Sequence, residues 1–152
     1  MISKIGPCFK RQPEKKVQIR SILENKNLDI NENKIESGTK IILYQVHDGE
    51  NQIFQLVNNS DGTISFKNKG YTIDVKNEEA EDEAIIQIWE PNNTAAQKLY
   101  LVNTGLGDYT IHSAINPIYI IDVCYGETND GTAIYLWKFN LTKAQRFKIL
   151  YI

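Results

Sequence analysis

The sequence predicts an all-β fold in which three repeated units of about four short strands close into one barrel. Two observations predict it. An acid, an aromatic and an amide recur three times at fixed spacing, and the segments between them carry the β-branched, partly alternating signature of strands, broken by turn residues every eight to twelve positions.

The recurring triplet is Asp29, Tyr44 and Gln52, then Asp74, Trp89 and Gln97, then Asp122, Trp137 and Gln145. Acid to aromatic is fifteen residues and aromatic to amide is eight in every copy, while successive copies lie 45 and 48 apart. The neighbours agree as well: "NLDI", "TIDV" and "IIDV" hold the acid, "IILY", "IQIW" and "IYLW" end in the aromatic, and "QIF", "QKL" and "QRF" open with the amide. Self-similarity at this period marks units that share one core because none can bury its apolar face alone. Ile19, Ile64 and Ile111 precede their acids by ten, ten and eleven residues. That alignment assigns two of the three extra residues of the last interval to the loop between Gln97 and Ile111.

Each element then follows in order. "KIILYQV", "AIIQIWE" and "AIYLWKF" read as strands, as do "QIFQLV", "KLYLV" and "RFKILYI". "ESGT", "SDGT", "GLGD" and "NDGT" are turns. "NEEAEDEA" has helical propensity without an apolar face and is expected as a solvated acidic loop. Some twelve short strands expose many edges unless the sheet closes, and three-fold closure with hairpins capping one end is a β-trefoil. "RFKILYI" should then pair with the first strand, around "VQIRSI". Residues 1–15 fall outside the repeat and read as an N-terminal arm. Residues 16–152 form a single domain, with repeats at about 16–60, 61–107 and 108–152.

Composition narrows the function. The chain has 152 residues, 41% apolar and 24% charged, with a net charge of −2, so it fits one soluble domain and offers no basic footprint for nucleic acid. No apolar run is long enough to span a membrane. Two cysteines, Cys8 and Cys124, could form one bridge but suit free thiols in a reducing compartment better. Without a hydrophobic leader the chain is expected to be cytoplasmic or non-classically released. His47 and His112 are the two histidines, and neither lies in a nucleophile, metal or phosphate motif. Repeated acids on three separate lobes do not make the close pair that glycoside hydrolysis needs. Neither an enzyme nor a cofactor is expected.

The Asp, the aromatic strand end and the "Q-x-F" closures resemble the ricin B-type lectin β-trefoil family, over residues 16 to 152. "QKL" is a degenerate version of the closure, and the family's repeat cysteines are missing. The resemblance implies a carbohydrate-binding lectin for galactose or N-acetylgalactosamine, with haemagglutinin-like multivalency. The physical chemistry agrees: a carboxylate accepts two hydroxyl hydrogen bonds, and an aromatic ring covers the C–H face of a sugar.

What the resemblance implies, residue by residue, is a first site of Asp29, Tyr44, His47 and Asn51, the set seen in xylanase-type modules, which leaves xylan-like polysaccharide open as a ligand. The second site is Asp74, Trp89 and Asn92, and the third is Asp122, Trp137 and Asn140. Ala96 and Ala144 stand where the first repeat has Asn51. Gln52, Gln97 and Gln145 read as structural amides that orient the acids.

Bland readings compete throughout. An Asp at a strand end often bonds the following turn, a lone histidine is usually a surface residue, and a tryptophan can be core. Asn58, Asn92 and Asn140 open N-x-[ST] triplets, and a glycan on Asn92 or Asn140 would crowd a pocket. Two further readings remain: a trefoil scaffold binding a protein partner, as protease inhibitors do, and the targeting subunit of a toxin or hydrolase complex. Homodimerisation stays open.

Overall fold

Alternation builds the barrel strands. In β1 (Lys15–Ser21) Val17, Ile19 and Ser21 point inward and are fully buried, while Gln18 and Arg20 lie on the outer face. The same period sets β4 (Phe54–Asn58), β5 (Ile64–Asn68), β8 (Leu99–Asn103), β9 (Tyr109–Ser113) and β12 (Phe147–Tyr151). These coordinates are a computed structural model that describes residues 15–152. The expected arm lies outside the described residues except for Lys15, which opens β1; Cys8 lies outside them too.

The six strands pair antiparallel in a ring, β1–β4–β5–β8–β9–β12 and back to β1. The closing pair runs from Val17↔Tyr151 to Ser21↔Phe147, so no barrel edge stays open. Three hairpins cap one end: β2 (Asn27–Ile30) with β3 (Ile41–Tyr44), β6 (Tyr71–Val75) with β7 (Ile86–Trp89), and β10 (Tyr119–Val123) with β11 (Ile134–Lys138). Bridges Lys40↔Gln87, Ile42↔Ala133 and Ile85↔Tyr135 join the hairpins in a triangle. The fold is an all-β trefoil of three pseudo-repeats.

Equivalent residues meet on the axis. Ile19, Phe66 and Ile111 form one layer, and Leu28, Ile73 and Ile121 form another, with a void of only about 10 Å3 among them. Phe66 corrects the alignment expected from the sequence. Ser21 faces Phe147 and Ser113 faces Leu99, and the corresponding place beside Phe54 belongs to Asn68, one past the Lys67↔Gln55 pair. Two residues back from these stand Ile19, Ile111 and Phe66, so Ile64 is one inward position too early. A slip of two leaves an apolar side chain facing inward, so alternation is blind to it. With Phe66 in register, the three extra residues all fall in the turn from Ser113 to Tyr119, against the tight turn from Asn68 to Tyr71.

Candidate functional site

The repeat brings each acid and aromatic to one hollow. Asp29 on β2 pairs across its hairpin with Ile42, Asp74 on β6 with Gln87, and Asp122 on β10 with Tyr135. Each strand is followed by a short 3-10 turn whose second residue is left-handed: Glu32 (φ 56°), Asn77 (φ 61°) and Tyr125 (φ 52°). These turns wall the three hollows, of about 350, 320 and 390 Å3 respectively.

The acids are buried at the floors, at 2%, 4% and 4% exposure. One glutamine holds each. Gln145 Nε2 donates to Asp122 Oδ2 at 2.8 Å and to the Lys138 carbonyl at 2.8 Å, while its Oε1 accepts the Asn140 amide at 2.9 Å. Gln97 repeats this with Asp74, Glu90 and Asn92, and Gln52 with Asp29, Gln45 and His47. The glutamines are buried, and they anchor the aromatic strand's exit to the acid.

The three carboxylates differ in what else they accept. Asp29 Oδ1 takes Asn51 Nδ2 at 3.0 Å, and its Oδ2 takes His47 Nε2 at 3.2 Å in addition to Gln52. The Gly49 amide donates to His47 Nδ1, which leaves the ring proton on Nε2, facing the acid. Asp74 Oδ1 takes Gln87 Nε2 at 3.1 Å. No described residue donates to Asp122 Oδ1. Burial raises all three carboxyls above the usual range, and Asp122, with the single glutamine donor and Asp82 nearby, is pushed up to about 6.

Beside the acids, Trp89 is 37% exposed, while Tyr44 and Trp137 are half-buried. Asn92 and Asn140 use Oδ1 to accept the amide and hydroxyl of Thr94 and Thr142. The N-x-T triplets are therefore turn-forming pairs, and His47 Nδ1 does the same work for Gly49 in the first repeat. Asn51 is buried, and its amide is bound by Asp29 and the Ile30 carbonyl.

Several residues at the hollows carry no mark in the triplet. Tyr125 and Tyr135 join Trp137 in the third. Tyr135 lies stacked on Trp137 at 5.7 Å and 27°, and Tyr125 stands edge-on to Trp137 at 6.2 Å and 61°. Ser37, Asp82 and Asp130 form a fourth repeated position at the same 45 and 48 spacing. Each accepts the amide just after the next unit's aromatic, of Glu90, Lys138 and Gln45 respectively. The stretch "NEEAEDEA" is thus more than a solvated loop: Asp82 and Glu83 both bond the third unit. His112 lies away from the acids, braced between Thr110 and the Pro117 carbonyl.

The family profile described as ricin-type β-trefoil lectin domain-like matches residues 9–89 and again 50–137, two overlapping placements that reflect the repeat. The chain belongs to this family. Comparison with curated proteins by sequence finds no match. Among solved structures, this trefoil lectin domain is similar to the designed three-fold symmetric protein ThreeFoil, with TM-score 0.87 and 22% identity over 90% of this chain and 99% of that one. It is similar to part of an exo-β-1,3-galactanase from Clostridium thermocellum, with TM-score 0.88 and 23% identity over 95% of this chain and 31% of that one. The C-half of the earthworm R-type lectin, in complex with GalNAc, matches with TM-score 0.69 and 26% identity over 91% of this chain and 99% of that one.

Proposed function

We propose that this chain is a non-catalytic lectin that holds galactose- or N-acetylgalactosamine-type glycans in its three hollows, the third foremost. One observation carries the reading: Asp122 presents an oxygen without a donor among the described residues, beside the indole of Trp137. A sugar's hydroxyl pair can donate to that carboxylate while its C–H face covers the ring. Asp29 with Tyr44 and His47, and Asp74 with Trp89 and Asn92, repeat the grip with more of the carboxylate already engaged. Asn51 bonds Asp29 from within the fold, so Ala96 and Ala144 leave their acids more open to a ligand rather than deficient. The GalNAc in the earthworm lectin supports the sugar class.

The third hollow has Asp122 as its single lining carboxylate, without the pair that glycoside hydrolysis ordinarily uses, which supports binding as the role of that hollow. Titration with galactose and lactose, followed by tryptophan fluorescence, tests it. A saturable shift is expected, with dissociation constants on the order of millimolar, about −4 kcal/mol. The shift should shrink in Asp122→Asn, which keeps the shape and removes the charge. A flat response in the folded wild type would refute the lectin reading and favour the protein-binding scaffold.

A further inference from the structure

The third hollow holds an aromatic corner that the other two lack. At the left-handed turn position occupied by Glu32 and Asn77, it carries Tyr125, a residue 66% exposed whose ring yet touches both Tyr135 and Trp137. This ring has a dedicated support. Tyr125 Oη donates to Glu83 Oε1 at 3.1 Å, across a boundary between repeats.

Glu83 is itself an exception to the repeat. The equivalent positions are Gly38 (φ 97°) and Gly131 (φ 93°), and Glu83 takes the same left-handed backbone at φ 69° with a full side chain. A Cβ built on Gly38 would stand 3.8 Å from the Trp89 ring, so this position looks onto the aromatic of the next unit. In the second repeat a carboxylate fills that view and reaches the one turn that carries a tyrosine. A strained residue and an exposed ring, each unique among the three repeats, meet in one hydrogen bond at the rim of a binding hollow.

Resting on the galactoside-binding reading above, we propose that Tyr125, positioned by Glu83, forms a second subsite that receives the next sugar ring of a galactose-containing disaccharide whose first ring lies on Trp137. Trp137 and Tyr125 meet at 61°, so a glycosidic linkage can turn the corner between two stacking faces. The first and second hollows, with Glu32 and Asn77 at this place, take single rings. The lectin is then three sites of two kinds.

The two tryptophans report the sites separately, since Trp89 lies in the second hollow and Trp137 in the third. We would record the indole N–H signals of 15N-labelled protein, assign them with Trp89→Phe, and titrate galactose, lactose and a β1,3-linked digalactoside. At Trp137, at least one disaccharide is expected to bind fivefold or more tighter than galactose, and at Trp89 the ratio stays near one. Both Tyr125→Ala and Glu83→Gly should bring the Trp137 ratio to within twofold of one, and Tyr125→Phe, which keeps the ring but loses its hydrogen bond to Glu83, should lower the ratio as Glu83→Gly does. Glu83→Gly cannot act by unfolding, because it restores the glycine of the other repeats; its melting temperature should not fall. Galactose binding with a flat ratio in the wild type, or a ratio unmoved by both variants, overturns the subsite alone. No response to any galactoside overturns the lectin reading with it.

Discussion

Gln145 makes three hydrogen bonds from one buried amide, so its removal strands three partners at once: Asp122 Oδ2, the Lys138 carbonyl and the Asn140 amide. Each buried group left unsatisfied costs about 1–3 kcal/mol. Gln145→Ala should therefore destabilise the fold by about 2–4 kcal/mol in urea denaturation, with part of the loss relieved by water entering from the hollow. Asp122 adds a pH dependence with opposite signs for folding and binding. Burial raises its folded carboxyl to about 6, above its unfolded value. Its contribution to stability is then complete below the unfolded value and is lost as pH rises through about 6. Sugar binding needs the carboxylate and is lost as pH falls through the same point. Lactose affinity at Trp137 should drop between pH 7.5 and 5, while this group makes the fold no weaker over that range. The ion pair of Asp108 with Arg146 behaves conversely: its lowered carboxyl stabilises the fold until far more acidic conditions. Denaturation midpoints and titrations at matched pH would separate the two effects.

Elements hold the hollows through turns donated by the preceding unit, and the left-handed residue in each turn sets their backbone. A non-glycine residue in this conformation costs roughly 1–2 kcal/mol. Gly131→Ala should lose about that much stability, and Glu83→Gly should gain a fraction of it; thermal melts of the two variants test the pair. These turns also show what the sequence does and does not make legible. Acid, aromatic and amide were readable because each does the same job in every unit, so identity survives at intervals of fifteen and eight. The strands were readable because burial alternates. The position of Phe66 was not, since a two-residue slip preserves alternation. The partnership of Glu83 with Tyr125 was hidden because it spans 42 residues and occurs once. Its one sequence trace was a glycine missing from the "ESGT" and "NDGT" pattern at "EDEA". His47 and Asn51 looked like extra ligand contacts by position; they lie in the first hollow, but both also bond Asp29 from within the fold. Sequence shows which residue types recur and leaves open which lone pairs are already filled.

Closure makes the molecule one rigid body, because the last strand pairs with the first and the three hairpins bridge one another. Rigidity matters for binding at the millimolar scale. Three weak sites on flexible arms would lose much of their joint gain to conformational entropy, whereas sites on a fixed frame can raise avidity by about 10²–10⁴ on a multivalent surface if the spacing fits. Three-fold symmetry points the hollows away from one another, so a single surface cannot engage all three, and the surplus site bridges to a second surface. The carboxylates predict unequal shares. Asp29 already accepts three side-chain donors, Asp74 two and Asp122 one, so the charge left for a sugar grows from the first unit to the third. Agglutination of galactose-coated beads, normalised to the folded fraction of each variant, should therefore fall most in Asp122→Asn, less in Asp74→Asn and least in Asp29→Asn; the melting temperature should drop most in Asp29→Asn, whose new amide faces Asn51 Nδ2 or Gln52 Nε2 with a second donor. Equal losses in the three would mean that filled lone pairs do not limit binding. The reverse order would mean that the amide and imidazole of the first unit contact the sugar themselves.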